Sequence, residues 1–388
     1  MAIITGTDGD DILIGTAGDD RIIASAGDDI TITGGDGNDI VDYSGLGQPV
    51  IIQPADFQKG TIGTDTFQDV VETLIGATGQ ANSIDATTDN TNVSIIADLS
   101  KERLEIRVGG STRIAVNVKN FVNVTGTNQK DTITGDAVDN QLSGSGGNDI
   151  IRGSAGNDTL NGGDGTDTAD YSKISVNTTI FIDGTLQKSG GLGRDFLVNF
   201  EKLVVDASAA NNTIDASIAP SVPLLVGDAS VNINLESQSF VINNVPNIGT
   251  IEFTFINFDN VKGTNQSDTI VGDRQNNLLF GNGGNDTLSG NGGNDILAGG
   301  SGNDVLTGGL GTDKFVFTNV FEGVDVIKDF RATEGDKIQI SQAGFGAIEG
   351  SDFSYDPLNG SLFFQESRFA ILENRPIGFV ASLDIQIV

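Results

Sequence analysis

The chain has 388 residues, of which 37% are hydrophobic and 53 are glycine, and this composition argues against one large helical core. Its formal net charge of -32 argues against nucleic acid as a partner and disfavours binding to anionic membrane surfaces. The chain contains neither cysteine nor histidine, which excludes disulfides, thiol catalysis and a Ser-His-Asp triad.

A nine-residue unit repeats through the first run, residues 6–42. The run reads GTDGDDILI, GTAGDDRII, ASAGDDITI and, after one extra residue assigned to Thr33, GGDGNDIVD. Most units have glycine at the first and fourth positions and a carboxylate at the sixth. The sixth-position residues are Asp11, Asp20, Asp29 and Asp39.

Each part of the unit has a physical reason. Glycine permits a positive φ, so the unit turns. The apolar residues that follow, such as Ile12 with Ile14 and Ile296 with Ala298, alternate and predict a very short strand with these side chains on its inward face. A single coil cannot bury that face alone, so coils stack and their sixth-position carboxylates line up. Calcium suits such a row, because it accepts six to eight oxygen ligands in loose geometry.

The second run, residues 126–170, contains five units, two of them degenerate. Asn140 retains a side-chain oxygen but lacks the charge, so calcium at that unit is doubtful. The sixth-position residues of this run are Asp131, Asn140, Asp149, Asp158 and Asp167.

The segments that follow the first two runs resemble each other, which indicates duplication of a whole module. Their alternating apolar residues predict strands. The matching pairs are Tyr43 and Tyr171, Glu72 and Glu201, Asn82 and Asn212, and Phe121 and Phe258.

The third run, residues 263–316, has six units in phase, and such a run argues against isolated hairpin turns. Asn277 again lacks the charge. The sixth-position residues are Asp268, Asn277, Asp286, Asp295, Asp304 and Asp313.

Two segments follow the third run. Residues 315–341 are interpreted as a strand pair whose acids, Asp325, Asp329 and Asp336, are solvated; a further ion bound by these acids is the alternative. The tail 361–388 is interpreted either as an uncleaved secretion signal or as a final β-hairpin that caps the repeats.

The nonapeptides resemble the hemolysin-type calcium-binding repeat family, also called RTX, whose signature is GGxGxDxUx. The resemblance implies a parallel β-roll in which two nonapeptides make one turn, so that each ion lies between units two apart. The aspartates that would then share an ion are Asp11 with Asp29, Asp20 with Asp39, Asp149 with Asp167, Asp286 with Asp304, and Asp295 with Asp313.

The sequence therefore predicts calcium as the cofactor, with roughly ten ions bound. Because these ions would neutralise carboxylates that otherwise repel each other, we expect folding to depend on calcium. The predicted metal ligands are Asp11, Asp20, Asp29, Asp39, Asp131, Asp149, Asp158, Asp167, Asp268, Asp286, Asp295, Asp304 and Asp313.

The predicted fold is all-β, a parallel β-roll or β-solenoid of RTX nonapeptides in three blocks linked by β-rich segments. The predicted domains are 1–125, which holds the first repeat block 6–42; 126–262, which holds the second block 126–170; 263–345, which holds the third block 263–316; and the β tail 346–388.

The predicted function is that of a secreted, non-catalytic calcium-binding protein with a structural, surface-layer or matrix role. No stretch is left over for a separate catalytic domain, and the chain has no histidine. The alternative is a polysaccharide-binding or accessory module of an extracellular carbohydrate-active system. The first repeat starts at Gly6, and the chain has no long apolar run, so we expect type I secretion without a Sec signal peptide or a transmembrane segment.

Overall fold

The computed structural model describes residues 1–29, 31–53, 57–59, 64–66, 71–217, 229–245, 249–346 and 349–388. These residues are almost entirely strand and turn, so the predicted all-β class is confirmed. The chain forms two compact units, one made of residues 1–174 with 188–204 and the other of residues 175–187 with 205–388.

The strands are short, most of them three or four residues long. The strands up to residue 125 are β1 Ala2–Thr5, β2 Ile12–Ile14, β3 Asp20–Ile23, β4 Thr31–Thr33, β5 Ile40–Asp42, β6 Ile51–Ile52, β7 Phe57–Gln58, β8 Thr64–Asp65, β9 Thr73–Ile75, β10 Asn82–Asp85, β11 Val93–Asp98, β12 Arg103–Val108, β13 Ser111–Lys119 and β14 Phe121–Thr125. The strands from there to residue 262 are β15 Thr132–Thr134, β16 Gln141–Ser143, β17 Ile150–Arg152, β18 Thr159–Asn161, β19 Thr168–Asp170, β20 Thr178–Phe181, β21 Thr185–Lys188, β22 Gly193–Val198, β23 Lys202–Val204, β24 Thr213–Asp215, β25 Ser230–Asn234, β26 Ser239–Val245, β27 Gly249–Ile256 and β28 Asn260–Lys262. The remaining strands are β29 Thr269–Val271, β30 Leu278–Gly283, β31 Thr287–Ser289, β32 Ile296–Ser301, β33 Val305–Thr307, β34 Lys314–Phe317, β35 Asp325–Ile327, β36 Lys337–Ile340, β37 Phe353–Asp356, β38 Ser361–Phe364, β39 Ser367–Leu372 and β40 Ile385–Ile387.

Where the structure describes the chain, helical structure is limited to single turns. These are α1 Gln342–Phe345, α2 Ala381–Asp384 and two 3-10 turns, Leu99–Lys101 and Gly350–Asp352. Within the described ranges, no helix has both the length and the apolar character needed to cross a membrane.

Consecutive repeat strands alternate between two parallel sheets. In the second run, β15 pairs with β17, with Thr132 opposite Ile150, while β16 pairs with β18, with Gln141 opposite Thr159. Both registers differ by 18 residues, so one coil consists of two nonapeptides, as the family resemblance implied. The third run repeats the pattern, with β29 next to β31 and β30 next to β32.

The core of each repeat lies chiefly at the eighth position rather than at the expected positions seven and nine, although Ala298, at a ninth position, is buried. Leu13 is buried, whereas Ile12 and Ile14 are 64% and 60% exposed. Side chains alternate along a strand, so the residue two after the sixth-position aspartate shares its inward face. In the third run, Leu288 and Leu297 occupy this position with 0% exposure, and burying such a side chain contributes about 1.5–3 kcal/mol.

The extra residue of the first run is not Thr33. Thr33 lies in β4 and pairs with Ile14. Asp29 follows Asp11 by 18 residues, but Ile32 pairs with Leu13 across 19, so the additional residue falls between Asp29 and Ile32.

The segments between the runs contain antiparallel excursions from the coil. Strands β11, β12 and β13 form one such meander, and β25, β26 and β27 form another. Both rejoin the repeats in the same manner, because β11 pairs in parallel with β15 and β25 pairs in parallel with β29. The predicted strands are present, and the shared topology supports duplication of the module.

The C-terminal residues continue the β structure. Strands β37, β38 and β39 form an antiparallel meander, and β39 pairs in parallel with β35. The last strand, β40, pairs in parallel with β36. The tail therefore contains the expected hairpin, at Ser361–Leu372, and a secretion signal in the same residues stays a prediction.

Candidate metal centre

The sixth-position carboxylates form hydrogen-bonded ladders along the coil. The backbone N–H of Asp268 donates to Oδ1 of Asp286 at 2.8 Å, and the N–H of Asp286 donates to Oδ1 of Asp304 at 2.7 Å. Each carboxylate is thereby held beneath the aspartate one coil earlier. The five predicted pairs are all linked in this way: Asp11 to Asp29 at 3.1 Å, Asp20 to Asp39 at 2.9 Å, Asp149 to Asp167 at 2.7 Å, Asp286 to Asp304 at 2.7 Å, and Asp295 to Asp313 at 2.9 Å.

Twelve of the thirteen predicted aspartates are buried, and Asp11 is half-buried. A buried carboxylate needs partners for both of its oxygens. We call each sixth-position residue, together with its hydrogen bonds, a rung of the ladder. The ladder uses Oδ1, so the surroundings of Oδ2 distinguish one rung from another.

Threonine at the second position satisfies Oδ2 at the start of each run. Thr127 donates its N–H to Oδ2 of Asp131 at 2.6 Å and its hydroxyl to the same atom at 3.1 Å. Thr264 makes the same two contacts with Asp268, at 2.6 and 3.1 Å. Thr7 caps Asp11 and Thr16 caps Asp20 in the same way.

The two asparagine rungs are satisfied within the protein. Nδ2 of Asn140 donates to the Val122 carbonyl at 2.9 Å, and Nδ2 of Asn277 donates to the Asp259 carbonyl at 2.8 Å. Each Oδ1 accepts an N–H from its own turn, at 2.8 Å in both rungs. The side-chain amides therefore have hydrogen-bond partners without a bound cation. This agrees with the expectation that calcium is doubtful at the asparagine units, which lack the carboxylate charge.

Among the described residues, seven rungs leave one buried carboxylate oxygen without a hydrogen-bond partner. An unpaired buried polar atom costs about 1–3 kcal/mol, and more when it is charged, so seven such atoms at equivalent repeat positions demand an explanation. The atoms are Oδ2 of Asp39, Asp149, Asp167, Asp286, Asp295, Asp304 and Asp313.

The electrostatics of these rungs point to a missing positive charge. Burial, and to a smaller extent neighbouring acidic groups, raise the pKa of Asp149, Asp286 and Asp295 from 3.8 to about 7. Asp304 and Asp313 have a pKa of about 6 for the same first reason. A cation at these oxygens would favour the charged carboxylates and reverse the shift.

Glycine leaves space at these rungs in which oxygen atoms converge. A Cβ on Gly281 would lie 2.1 Å from Oδ2 of Asp286 and 2.6 Å from the carbonyl oxygen of Gly299. At Gly302, where φ is +145°, a Cβ would lie 1.5 Å from the carbonyl oxygen of Gly284. No residue with a side-chain carbon fits at either position.

The donors available are all oxygens, which is the set that calcium prefers. Within the described residues, no three acidic side chains gather into one metal-binding cluster, so backbone carbonyls would have to supply the remaining ligands. The residues present fit calcium on those terms.

The ladders continue beyond the repeats through acids that the thirteen predicted ligands did not include. Asp325 and Asp336 are 2% exposed and accept the N–H of Asp304 and of Asp313, so the interpretation of these two as solvated acids is wrong. Their burial follows from continued coiling after the last repeat. We call an acid that accepts the last hydrogen bond of a ladder a terminal acid. The terminal acids of the first two runs are Asp65, Glu72, Asp195 and Glu201, which accept the N–H of Asp29, Asp39, Asp158 and Asp167, respectively.

The family model for the RTX calcium-binding nonapeptide repeat, which comprises four copies, matches residues 5–30, 31–45, 134–169, 262–297 and 289–316. A search of curated proteins found no match to the chain. Among solved structures, the chain is similar to the extracellular lipase LipA from Serratia marcescens, with 19% sequence identity and a TM-score of 0.26. The aligned part covers 80% of this chain but only 45% of that lipase chain.

Proposed function

The chain carries the RTX calcium-binding repeat in each of its three runs, and from this premise we propose a secreted, non-catalytic protein that folds on extracellular calcium. Its proposed role is structural, at a cell surface or in an extracellular matrix. The observation that carries the proposal is the set of seven buried Oδ2 atoms that have no hydrogen-bond partner among the described residues.

We assign calcium to these seven rungs, with Oδ2 of each aspartate and the carbonyls of the glycine-rich turns as ligands. Bound calcium supplies positive charge between carboxylates that otherwise repel each other in a chain of net charge -32. At a calcium concentration tenfold above the dissociation constant, each site adds about 1.4 kcal/mol. Seven sites then give on the order of 10 kcal/mol, which is comparable with the whole stability of a typical domain.

The contacts of two acids support the non-catalytic part of the proposal, and the general affinity of extracellular calcium sites supports the secreted part. Glu72 and Glu201, the matching acids of the two duplicated segments, use Oε2 to accept the N–H of Asp39 at 2.8 Å and of Asp167 at 2.7 Å, which is a structural role. Extracellular calcium modules bind with dissociation constants of about 0.1–1 mM, so sites of that class would fill only outside the cell. We place a type I secretion signal in residues 361–388.

The alternative, a polysaccharide-binding accessory module, stays a prediction. Sugar recognition commonly uses exposed aromatic rings. The exposed phenylalanines among the described residues are Phe196 and Phe321, one in each unit.

Far-UV circular dichroism through a calcium titration, from chelator to about 10 mM, tests the proposal. The upper concentration is high enough to fill even the weakest class of calcium site. We expect a cooperative gain of β signal with calcium and none with magnesium. A chain that is fully β-folded in chelator and unchanged by calcium would contradict the proposal.

A further inference from the structure

We call residues 1–125 the first module and residues 126–262 the second module. Each contains one lysine, Lys59 and Lys188, whose side chain is completely buried. The side chain of Lys188 is 0% exposed, and its Nζ donates to Oδ1 of Asp195 at 2.5 Å and to the carbonyls of Ser154 at 2.6 Å and Gly156 at 3.0 Å. Oδ2 of Asp158 lies 3.6 Å from the same nitrogen. Four oxygens, two from carboxylates and two from the backbone of one turn, thus surround a single ammonium group.

The first module repeats this arrangement. Lys59 is 0% exposed, and its Nζ lies 2.5 Å from Oδ1 of Asp65, 2.8 Å from the carbonyl of Ser25 and 3.3 Å from Oδ2 of Asp29. Ser25 and Ser154 both occupy the second position of their nonapeptide. The same constellation has therefore been built twice in the chain.

A tyrosine completes each arrangement. The hydroxyl of Tyr171 donates to Oδ2 of Asp195 at 2.6 Å, and that of Tyr43 donates to Oδ2 of Asp65 at 2.9 Å. Both rings are 0% exposed. The terminal acid of each rung consequently has a partner for both of its oxygens.

The third run provides the contrast. The N–H of Asp304 donates to Oδ1 of Asp325 at 3.0 Å, just as the N–H of Asp158 donates to Oδ1 of Asp195 at 3.0 Å. Among the described residues, Oδ2 of Asp304 has no hydrogen-bond partner, whereas Oδ2 of Asp158 accepts the N–H of Ser154 at 3.1 Å and lies 3.6 Å from Nζ of Lys188. The two rungs share the hydrogen bond to the next acid and differ around Oδ2, where the chain supplies an N–H donor and an ammonium group to Asp158 and neither to Asp304.

We propose that Lys59 and Lys188 are tethered substitutes for calcium, each placing its ammonium group in the cation position of one rung. This inference rests on calcium binding at the seven other rungs. Asp29 and Asp158, both predicted from the sequence to be calcium ligands, then bind no metal. An ammonium group has three N–H donors and no acceptor, so it suits a site made only of carboxylate and carbonyl oxygens.

The consequence is that the lysine rungs and the unpartnered rungs respond differently to calcium. The ammonium groups of Lys59 and Lys188 neutralise carboxylate charge in their rungs as soon as the chain folds. The carboxylates of the seven unpartnered rungs are neutralised only when calcium binds. A buried charge pair with complete hydrogen bonding holds the register of its surroundings, and removing one partner leaves an uncompensated charge. The lysine rungs would keep one turn of each of the first two modules closed in chelator.

Counting calcium per chain tests the inference with a matched pair of variants. Asp149→Asn changes an unpartnered rung of the second run, and Asp158→Asn changes the lysine rung of the same run. We expect equilibrium dialysis with atomic emission to show a loss of at least one ion in Asp149→Asn and an unchanged count in Asp158→Asn. A loss of an ion in Asp158→Asn as well would overturn the inference alone. A wild-type chain that binds no calcium would overturn both the inference and the proposed function.

A second variant asks whether the site accepts an ion once the lysine is gone. Lys188→Ala removes the ammonium and opens the space between Asp158 and Asp195. We expect one ion more than in the wild type and a lower melting temperature in chelator. A wild-type ion count in folded Lys188→Ala would contradict the substitution, and if the variant does not fold, the Asp149 and Asp158 pair decides the question.

Discussion

The second and third runs build the same ladder and neutralise it differently. In the second run, the lysine rung at Asp158 obtains a cation from Lys188 of the same chain, while the equivalent aspartate of the third run, Asp304, has a buried oxygen with no partner. The backbone hydrogen bond that joins each aspartate to the next acid has the same length, 3.0 Å, in both rungs. This hydrogen bond therefore does not distinguish the two rungs, which differ in the partners of Oδ2: Asp158 has the N–H of Ser154 and the nearby ammonium group of Lys188.

The largest expected difference between the two runs appears when calcium is removed. Hydrogen exchange followed by mass spectrometry, with and without chelator, should show amides of residues 281–307 losing protection while those of residues 153–161 retain more of it. Each 1.4 kcal/mol of local stability corresponds to about a tenfold change in exchange. Magnesium in place of calcium is the control and should not restore protection. Equal losses in both segments would remove the distinction between the runs.

A side-chain carbon at the first position of a calcium rung should have the next largest effect. Gly281→Ala places a Cβ 2.1 Å from Oδ2 of Asp286, so we expect a loss of about 1–3 kcal/mol from overpacking and weaker calcium binding. Gly45→Ala is the matched control, because a Cβ there meets nothing within 4 Å, and its effect should stay within about 0.5 kcal/mol. Chemical unfolding at fixed calcium measures both. Similar losses in the two variants would mean that the oxygens around Gly281 are not held in place.

The smallest expected effect separates threonine-capped rungs from unpartnered ones. Asp286→Asn removes a proposed ligand, so its stability loss should be larger in calcium than in chelator, by about 1.4 kcal/mol at a tenfold excess over the dissociation constant. Asp268→Asn loses hydrogen bonds from Thr264 that do not involve metal, so its loss should be the same in both conditions. Thermal unfolding of each variant in calcium and in chelator gives the comparison. Calcium dependence in Asp268→Asn would assign that rung to metal as well.

The repeats themselves could be predicted from the sequence because their period is local. A nine-residue spacing of glycine and aspartate determines the 18-residue register, and with it the pairing of Asp149 with Asp167 and of Asp286 with Asp304. The inward face was assigned to the wrong residues, since Ile12 and Ile14 are conspicuous in the sequence but the phase is set by Asp11. Counting by two from the aspartate would have identified Leu13.

The lysines could not be found by the same reasoning. Lys188 is 34 residues from Ser154, and Lys59 is 34 residues from Ser25, so no repeat period connects the cation with its ligands. A lone lysine between strands is usually solvated. One signal was available in retrospect: the paired segments that share Tyr43 and Tyr171 also share a lysine followed six or seven residues later by aspartate.

The terminal acids show how much chain can separate one coil from the next. The donor and acceptor of a rung are 18 residues apart within the second and third runs, yet Asp304 and Asp325 are 21 apart, Asp313 and Asp336 are 23 apart, and Asp158 and Asp195 are 37 apart. All of these hydrogen bonds measure 2.7–3.0 Å. The coil thus requires only that an acid return to the inward face, and it places little restriction on the length of chain between returns. Such a scaffold can gain or lose surface excursions one coil at a time. Residues 320–322 lie between the end of the third run and Asp325, and they include Phe321, which is 89% exposed. They mark a place where a foreign segment could be inserted while the ladder stays in register.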